Sequence, residues 1–389
     1  MEKNQRALLE LIKAALFGVE PKISDDVDWD AVLKEAEEQT VTALVAPAVP
    51  TNVVGSWRAV TARTEARFLR VLHDQTQLVG LLEEAGIPLV ILKGTAAAMY
   101  YPAPYHRMMG DVDLLVPQER FEEAAQLMEE NGYKPFRDLK EQLNMPVKHR
   151  HIEFGRDGLE YELHHHFSMN KIQIEDLLMN GLKHAKRGWA YKISFPVLPA
   201  LENGLVLLAH AYFHLNRGEL GLRQVIDWMM FVYHEMDDTT WENSFGKIAE
   251  DVGLEKLATG LTRLCRDWLG LPGAHSWCEA TDVKTVAALL ELVFERGNFA
   301  RKLDSPHKVE KTTKTIRTQG FFPYLMRTAG RVWNSDVVSG SKSMLRPLIW
   351  TKESGRLIIS RLTERPDHLV EEIKRGEEIA RLFKKLGIQ

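Results

Sequence analysis

The feature that most restricts the fold of this chain is a change of period. On either side of residues 86–170 the apolar residues recur at helical spacing, whereas inside that interval they come in short runs. Leu8, Leu9, Ile12, Ala15 and Leu16 mark a first amphipathic helix. Val32, Leu33 and Ala36 mark a second, with Asp28 or Asp26 as its N-cap. Phe68, Leu69, Leu72, Leu78, Leu81 and Leu82 mark a third. Gly86-Ile87-Pro88 then ends the helical stretch, and Leu89-Val90-Ile91-Leu92 has the β-branched character of a buried strand. Thr95 to Tyr100 reads as one or two helical turns capped by Thr95 and stopped by Pro102 and Pro104. A second strand covers Asp111 to Pro117, and a helix from about Gln118 to Asn131 is closed by Gly132. Arg150–Phe154 and Leu159–His166 form a hairpin, because Asp157-Gly158 between them suits a two-residue turn.

The helical period returns beyond Leu198. Leu205, Leu208, Ala209, Tyr212 and Phe213 share one stripe, and Val225, Trp228, Met229 and Val232 share another. The expected fold is therefore α+β: a small mixed sheet flanked by N-terminal and C-terminal helical segments. Four segments are expected, at 1–85, 86–197, 198–300 and 301–389. Within the last, residues 301–350 hold ten Lys/Arg against Asp304, Glu310 and Asp336, and Pro366 to Leu386 reads as a charged amphipathic helix. A basic stretch of this kind is ordinarily a solvated face.

Composition narrows the class. Hydrophobic residues make up 45% of the 389, enough for a core that needs no disulfides. The net charge of −4 argues against a chain-wide nucleic-acid footprint. The two cysteines, Cys265 and Cys278, fit a reducing compartment. No apolar run approaches the ~18 residues of a spanning helix, and the N-terminal residues lack a signal-peptide layout. A soluble cytoplasmic protein is expected.

Chemistry concentrates around Asp111-Val-Asp113. Residues two apart on a strand project from the same face, and two carboxylates placed there repel unless a cation lies between them. A divalent ion is the usual reason, Mg²⁺ being held by one or two carboxylates together with substrate phosphates. The strand before it ends in Lys93-Gly94-Thr95, where glycine permits close backbone approach and the helix start suits phosphate oxygens. Arg107, four residues before Asp111, could present a bidentate fork to a phosphate. Its bland alternative is an ion pair with Asp111. On the later strand, alternation puts Glu160, Glu162 and His164 on one face.

Ile91-Leu-Lys-Gly94-Thr95, Arg107-Met-Met-Gly-Asp111-Val-Asp113-Leu-Leu-Val116 and Glu162-Leu-His164 together resemble the uncharacterised nucleotidyltransferase family of the DNA polymerase β-like superfamily. The resemblance covers about residues 86–166, and extends loosely to a helical stretch containing His210, His214, Arg223 and Asp227. Thr95 stands where the superfamily has Gly or Ser, and the interval from Gly94 to Asp111 is longer than usual. The resemblance implies a nucleotidyltransferase core that transfers a nucleoside monophosphate from an NTP, ATP among the candidates, by two-metal catalysis. Asp111, Asp113 and Glu162 would hold Mg²⁺ or Mn²⁺, while Lys93, Gly94, Thr95 and Arg107 would bind the nucleotide. The acceptor is open, with a small molecule, peptide or protein favoured over RNA. A regulatory nucleotide-binding protein without turnover and an RNA-directed transferase are the alternatives.

Other residues carry weaker signals. His164-His165-His166 cannot all face one ion from a strand, and no Cys or His pair at zinc spacing accompanies them, so a polar strand end lining the cleft is expected. His210 and His214, four apart on a helix, could ligate a metal or cap a buried face. Arg223 and Asp227, also four apart, could pair along the helix or meet the acceptor. Removing Asp111 or Asp113 is expected to leave the fold intact.

Overall fold

The computed structural model describes residues 1–144, 151–167, 174–302 and 377–388. Residues 1–302 form one compact unit and 303–389 a second. Most of the basic 301–350 stretch lies outside the described residues. Of its members, Arg301 donates to the Glu37 carbonyl and Lys302 pairs with Glu35. Of the C-terminal helix expected over Pro366 to Leu386, the described part is helical over 377–385. No described helix is long and apolar enough to cross a membrane.

The first unit begins with α1 (Lys3–Phe17), α2 (Trp29–Glu38), α3 (Thr42–Val45) and the long α4 (Arg58–Glu84). Asp28 caps α2 by accepting from the Asp30 and Ala31 amides. The α+β interval follows: β1 (Val90–Leu92), α5 (Gly94–Ala98), β2 (Val112–Leu115), α6 (Phe121–Glu130), β3 (Lys134–Pro135), α7 (Leu139–Leu143), β4 (His151–Arg156) and β5 (Leu159–His164). After α8 (Glu175–Lys183) come β6 (Lys186–Ala190) and β7 (Ile193–Val197), then α9 (Ala200–Arg217) and α10 (Leu222–Glu235).

The strands form one seven-stranded mixed sheet in the order β3-β4-β5-β2-β1-β7-β6, within the expected α+β class. β2 lies parallel to β5 and antiparallel to β1, with Asp113 opposite Glu162. Strand alternation sorts the residues into two faces. Ile91, Val112, Leu114, Tyr161, Leu163, Ile152 and Phe154 join Phe68, Val71, Leu72 and Leu82 of α4 in one hydrophobic core. Asp113, Glu162, His164, His151 and Glu153 therefore occupy the opposite face, which is where the polar residues gather.

The hairpin of β6 and β7 was not anticipated. Its turn residues Tyr191 and Lys192 both have positive φ, at 43° and 68°, a conformation usually supplied by Gly or Asn. Helices α9 and α10 pack so closely that a Cβ on Gly204 would lie 2.3 Å from the Phe231 ring. That approach fixes the helical layer facing the polar side of the sheet.

Candidate active site

Asp113, 2% exposed, is the centre of the polar face. Its Oδ1 accepts from Lys93 Nζ at 2.6 Å and lies 3.0 Å from His164 Nε2. The same His164 nitrogen is 3.1 Å from Glu162 Oε2. Asp111, immediately before β2, completes a set of three carboxylates whose ligand atoms lie within 4.8 Å of one another with those of Asp113 and Glu162. A second such set shares a member: His151, Glu162 and His164. His151 was not singled out from sequence, although the signal was present. Counting back from the two-residue turn, Arg156 opposes Leu159, and His151 then falls opposite His164.

Charge explains how this cluster survives burial. Burial disfavours the charged form of Lys93, but the carboxylates of Asp113, Asp111 and Glu162 outweigh it and hold the ammonium protonated. Burial likewise disfavours the Glu162 carboxylate, yet the His164 hydrogen bond and the Lys93 charge bring it down to about 2. His164 is pushed the other way, since its hydrogen bonds to Asp113 and Glu162 overcome burial and favour imidazolium. Lys93 reaches its position through a backbone with φ 48° and ψ −135°, outside the regions comfortable for an L-residue. Gly94 follows at φ +33°. Strain of this kind persists where surrounding structure over-determines it.

Two expected phosphate ligands are engaged elsewhere. Thr95 is the second residue of α5 rather than its cap, and its hydroxyl donates to Gln75 Oε1 at 2.6 Å. Arg107 does not pair with Asp111. Its Nε and Nη2 both donate to the two oxygens of Asp227 on α10 at 2.7 Å, and Tyr101 donates to Asp227 as well. Burial opposes the Arg107 charge, but Asp227 raises its pKa well beyond the usual value. The fork expected to hold phosphate thus ties the 101–110 loop to α10. Arg67 reinforces this by donating to the carbonyls of Met109 and Gly110, just before Asp111.

Because Asp227 is taken by Arg107, the pairing along the helix that was one of two roles open to Arg223 and Asp227 does not form. Arg223 instead donates to the Met108 carbonyl at 3.3 Å and lies over the Phe299 ring. His210 and His214 contact each other through their Nε2 atoms at 2.8 Å. Burial and neighbouring positive charge lower both pKa values. One cavity of about 280 Å³ is lined from the sheet side by Lys93, Gly94, Asp111, Asp113, Glu162 and His164, and from the other side by Arg107, His210, His214 and Arg223 among others, whereas Thr95, Tyr101 and Asp227 do not line it.

A mixed sheet flanked by helices, with carboxylates on adjacent strands beside a Lys-Gly turn, is consistent with an α+β nucleotidyltransferase fold. The chain belongs to the uncharacterised nucleotidyltransferase family, whose model it matches over residues 25–270. Comparison with curated proteins gave no match.

Proposed function

We propose that the protein moves a nucleoside monophosphate from an NTP to an acceptor hydroxyl, with Mg²⁺ or Mn²⁺ held by Asp111, Asp113 and Glu162. The observation that carries this reading is the convergence of these three carboxylates on one cavity. The donor set fits the group, since carboxylate oxygens are what hard divalent cations prefer. When bound, the ions would activate the acceptor oxygen and neutralise charge on the departing pyrophosphate.

The chain's own residues supply position and field. His164 contacts one oxygen of Asp113 and one of Glu162, holding the two side chains in register. Lys93 places a permanent positive charge beside them. The Tyr101–Arg107–Asp227 cluster and Arg67 fix the backbone leading into Asp111. Phe167 and Phe213 present apolar surface to the cavity. In the reaction the acceptor oxygen bonds to the α-phosphorus as the bond to pyrophosphate breaks. The acceptor is proposed to be a small molecule, peptide or protein.

The test is incubation of the purified chain with each α-labelled NTP, Mg²⁺ or Mn²⁺ and a cell extract. Label should pass to an extract component with the native chain and not with Asp111→Ala. Equal labelling by both would overturn the proposal. NTP·Mg²⁺ binding without label transfer would favour a regulatory nucleotide-binding protein.

A further inference from the structure

Arg223 is the second residue of α10 and is only 7% exposed, yet no carboxylate among the described residues lies within ion-pair distance of it. Its one hydrogen bond among the described residues is the 3.3 Å contact from Nη1 to the Met108 carbonyl. Nε is buried without a partner, so one edge of the guanidinium, the edge that suits a bidentate anion, is unused. The neighbouring acid cannot help, because both oxygens of Asp227 are occupied by Arg107 and Tyr101. Burial and the Arg107 charge depress the Arg223 pKa to about 10, and the carboxylates of Asp227 and Asp111, beyond ion-pair distance, offset this only in part.

A buried unpaired charge is unfavourable in itself. Its surroundings make the missing partner specific. Arg223 lines the same cavity as Asp111, Asp113 and Glu162. On its own wall, Arg107 and Asp227 cancel, and His210 and His214 are held neutral by burial. The first turn of α10 contains no acidic residue, and its helix dipole adds positive potential at that end. A ligand satisfying both walls must carry an anionic group for Arg223 and also reach cations held by the carboxylates. The polyphosphate chain of a nucleotide has that distribution of charge.

We propose that Arg223 holds the non-transferred phosphates of the NTP, since it lines the cavity with its Nε edge unused while the Nε and Nη2 of Arg107 are held by Asp227. This rests on the nucleotidyl-transfer reading and deepens it. The other source of an anion is a charged group on the acceptor, and the two are separable by experiment.

Inorganic tripolyphosphate, which has no base or sugar, is the probe. Its binding in Mg²⁺ buffer is measured by calorimetry for the native chain, Arg223→Gln and Arg223→Lys, with adenosine titrated in parallel. The native chain should bind tripolyphosphate, Arg223→Gln should lose at least about tenfold, and Arg223→Lys should fall between, keeping charge but losing the fork. Adenosine affinity should not change. Thermal unfolding supplies a second readout. Tripolyphosphate should raise the native Tm more than that of either variant, and without anion Arg223→Gln should melt no lower than the native chain. If Arg223 only packs against Phe299 and Met108, Arg223→Gln would lower Tm and leave tripolyphosphate affinity unchanged, which overturns the proposal. Unchanged tripolyphosphate affinity with impaired label transfer would assign the anion to the acceptor and also overturn it. Should Arg223→Gln not fold, Arg223→Lys decides by the same affinity comparison. A native chain that binds neither tripolyphosphate nor any NTP would instead remove the nucleotidyl-transfer reading beneath it.

Discussion

On the sheet side of the cavity Asp113 and Glu162 share His164 and draw on Lys93, whereas on the helix side Arg107 has Asp227 and Arg223 has no acid within ion-pair distance among the described residues. The sheet wall is a cluster of acids with internal countercharge. The helix wall is a neutral network with one cation left over. Closeness in sequence is therefore a poor guide to which arginine is free. Arg107 lies four residues from Asp111 but is neutralised by a residue 120 positions away. Arg223 lies four residues from an acid yet makes no ion pair among the described residues, Asp227 acting on it only at longer range.

The largest effects are expected on the sheet wall, and they divide its two aspartates. Asp111→Ala and Asp113→Ala should each reduce Mg²⁺-dependent NTP binding by more than the ~10–100-fold typical of losing an outer-shell partner of a metal ligand. Their stabilities should differ, contrary to the expectation that either could be removed freely. Asp113 is buried and answers both Lys93 and His164, so Asp113→Ala removes the direct partner of both, leaving Lys93 only Asp111 and Glu162 at longer range, and should cost about 3–5 kcal/mol. Asp111 makes no ion pair among the described residues, and its removal should cost about 1 kcal/mol or less. Urea unfolding in metal-free buffer compares them, and equal losses would mean that the Lys93–Asp113 pair is not the wall's organising contact.

On the helix wall, Arg107→Ala should destabilise by about 3–5 kcal/mol, since it leaves the buried Asp227 carboxylate with Tyr101 alone. Arg107→Met with Asp227→Leu should recover much of that loss, because removing both members of a buried pair is far less costly than removing one. Tripolyphosphate affinity of the double variant should fall less than that of Arg223→Gln. The reverse order would return the phosphate role to Arg107.

These contrasts show what a sequence can and cannot disclose. β1 and β2 were legible as short apolar runs with β-branched members, and β4 and β5 because alternating polar and apolar residues flank the Asp157-Gly158 turn, which fixes the hairpin register. Asp113 and Glu162 were legible as a facing pair for the same reason, side-chain alternation being a local property. The β6–β7 hairpin was hidden by its Tyr191-Lys192 turn and by Gly188 and Pro196 inside the strands. Arg107–Asp227 was hidden for a different reason: which acid captures a guanidinium depends on tertiary packing of α10 against the 101–110 loop. Local chemistry showed which residues could act, and only the packed layers show which are already occupied.

A smaller effect should appear in the pH dependence of stability. His210 and His214 have lowered pKa values, so the folded state keeps them neutral while the unfolded chain binds protons below about 6.5. The unfolded state thus takes up more protons as pH falls, and stability is lost in that direction. Between pH 7.5 and 5.5 the two should together remove about 1–3 kcal/mol. Lys93, Arg107 and Arg223 around them strengthen the effect, and Glu219 beside His214 weakens it. His164, whose pKa is raised, contributes with the opposite sign, being stabilising below 6.5 and losing that contribution as pH rises. The native slope is therefore muted, and comparison with His210→Gln/His214→Gln isolates the helix wall. A variant whose slope over this range matches the native one would show that these histidines are not held neutral by the fold.

The smallest effect concerns Thr95, where the sheet wall meets α4. From sequence its hydroxyl was a phosphate ligand; in the fold it donates to Gln75 Oε1, and both residues are buried. Thr95→Val preserves shape and removes only the donor. It leaves the Gln75 oxygen without that partner in a place closed to water, at a cost of about 1–2 kcal/mol. Thr95→Ser keeps the hydroxyl and should cost less, the loss being one buried methyl group, about 1 kcal/mol. Neither change alters the charge facing the cavity, so tripolyphosphate affinity should stay within about twofold of native for both. A stability loss in Thr95→Val with unchanged affinity places the hydroxyl in the α4–α5 packing. A tenfold loss of affinity in Thr95→Val, restored in Thr95→Ser, would show that the hydroxyl exchanges Gln75 for phosphate when ligand enters, and would add a second anion contact on the sheet side of the cavity.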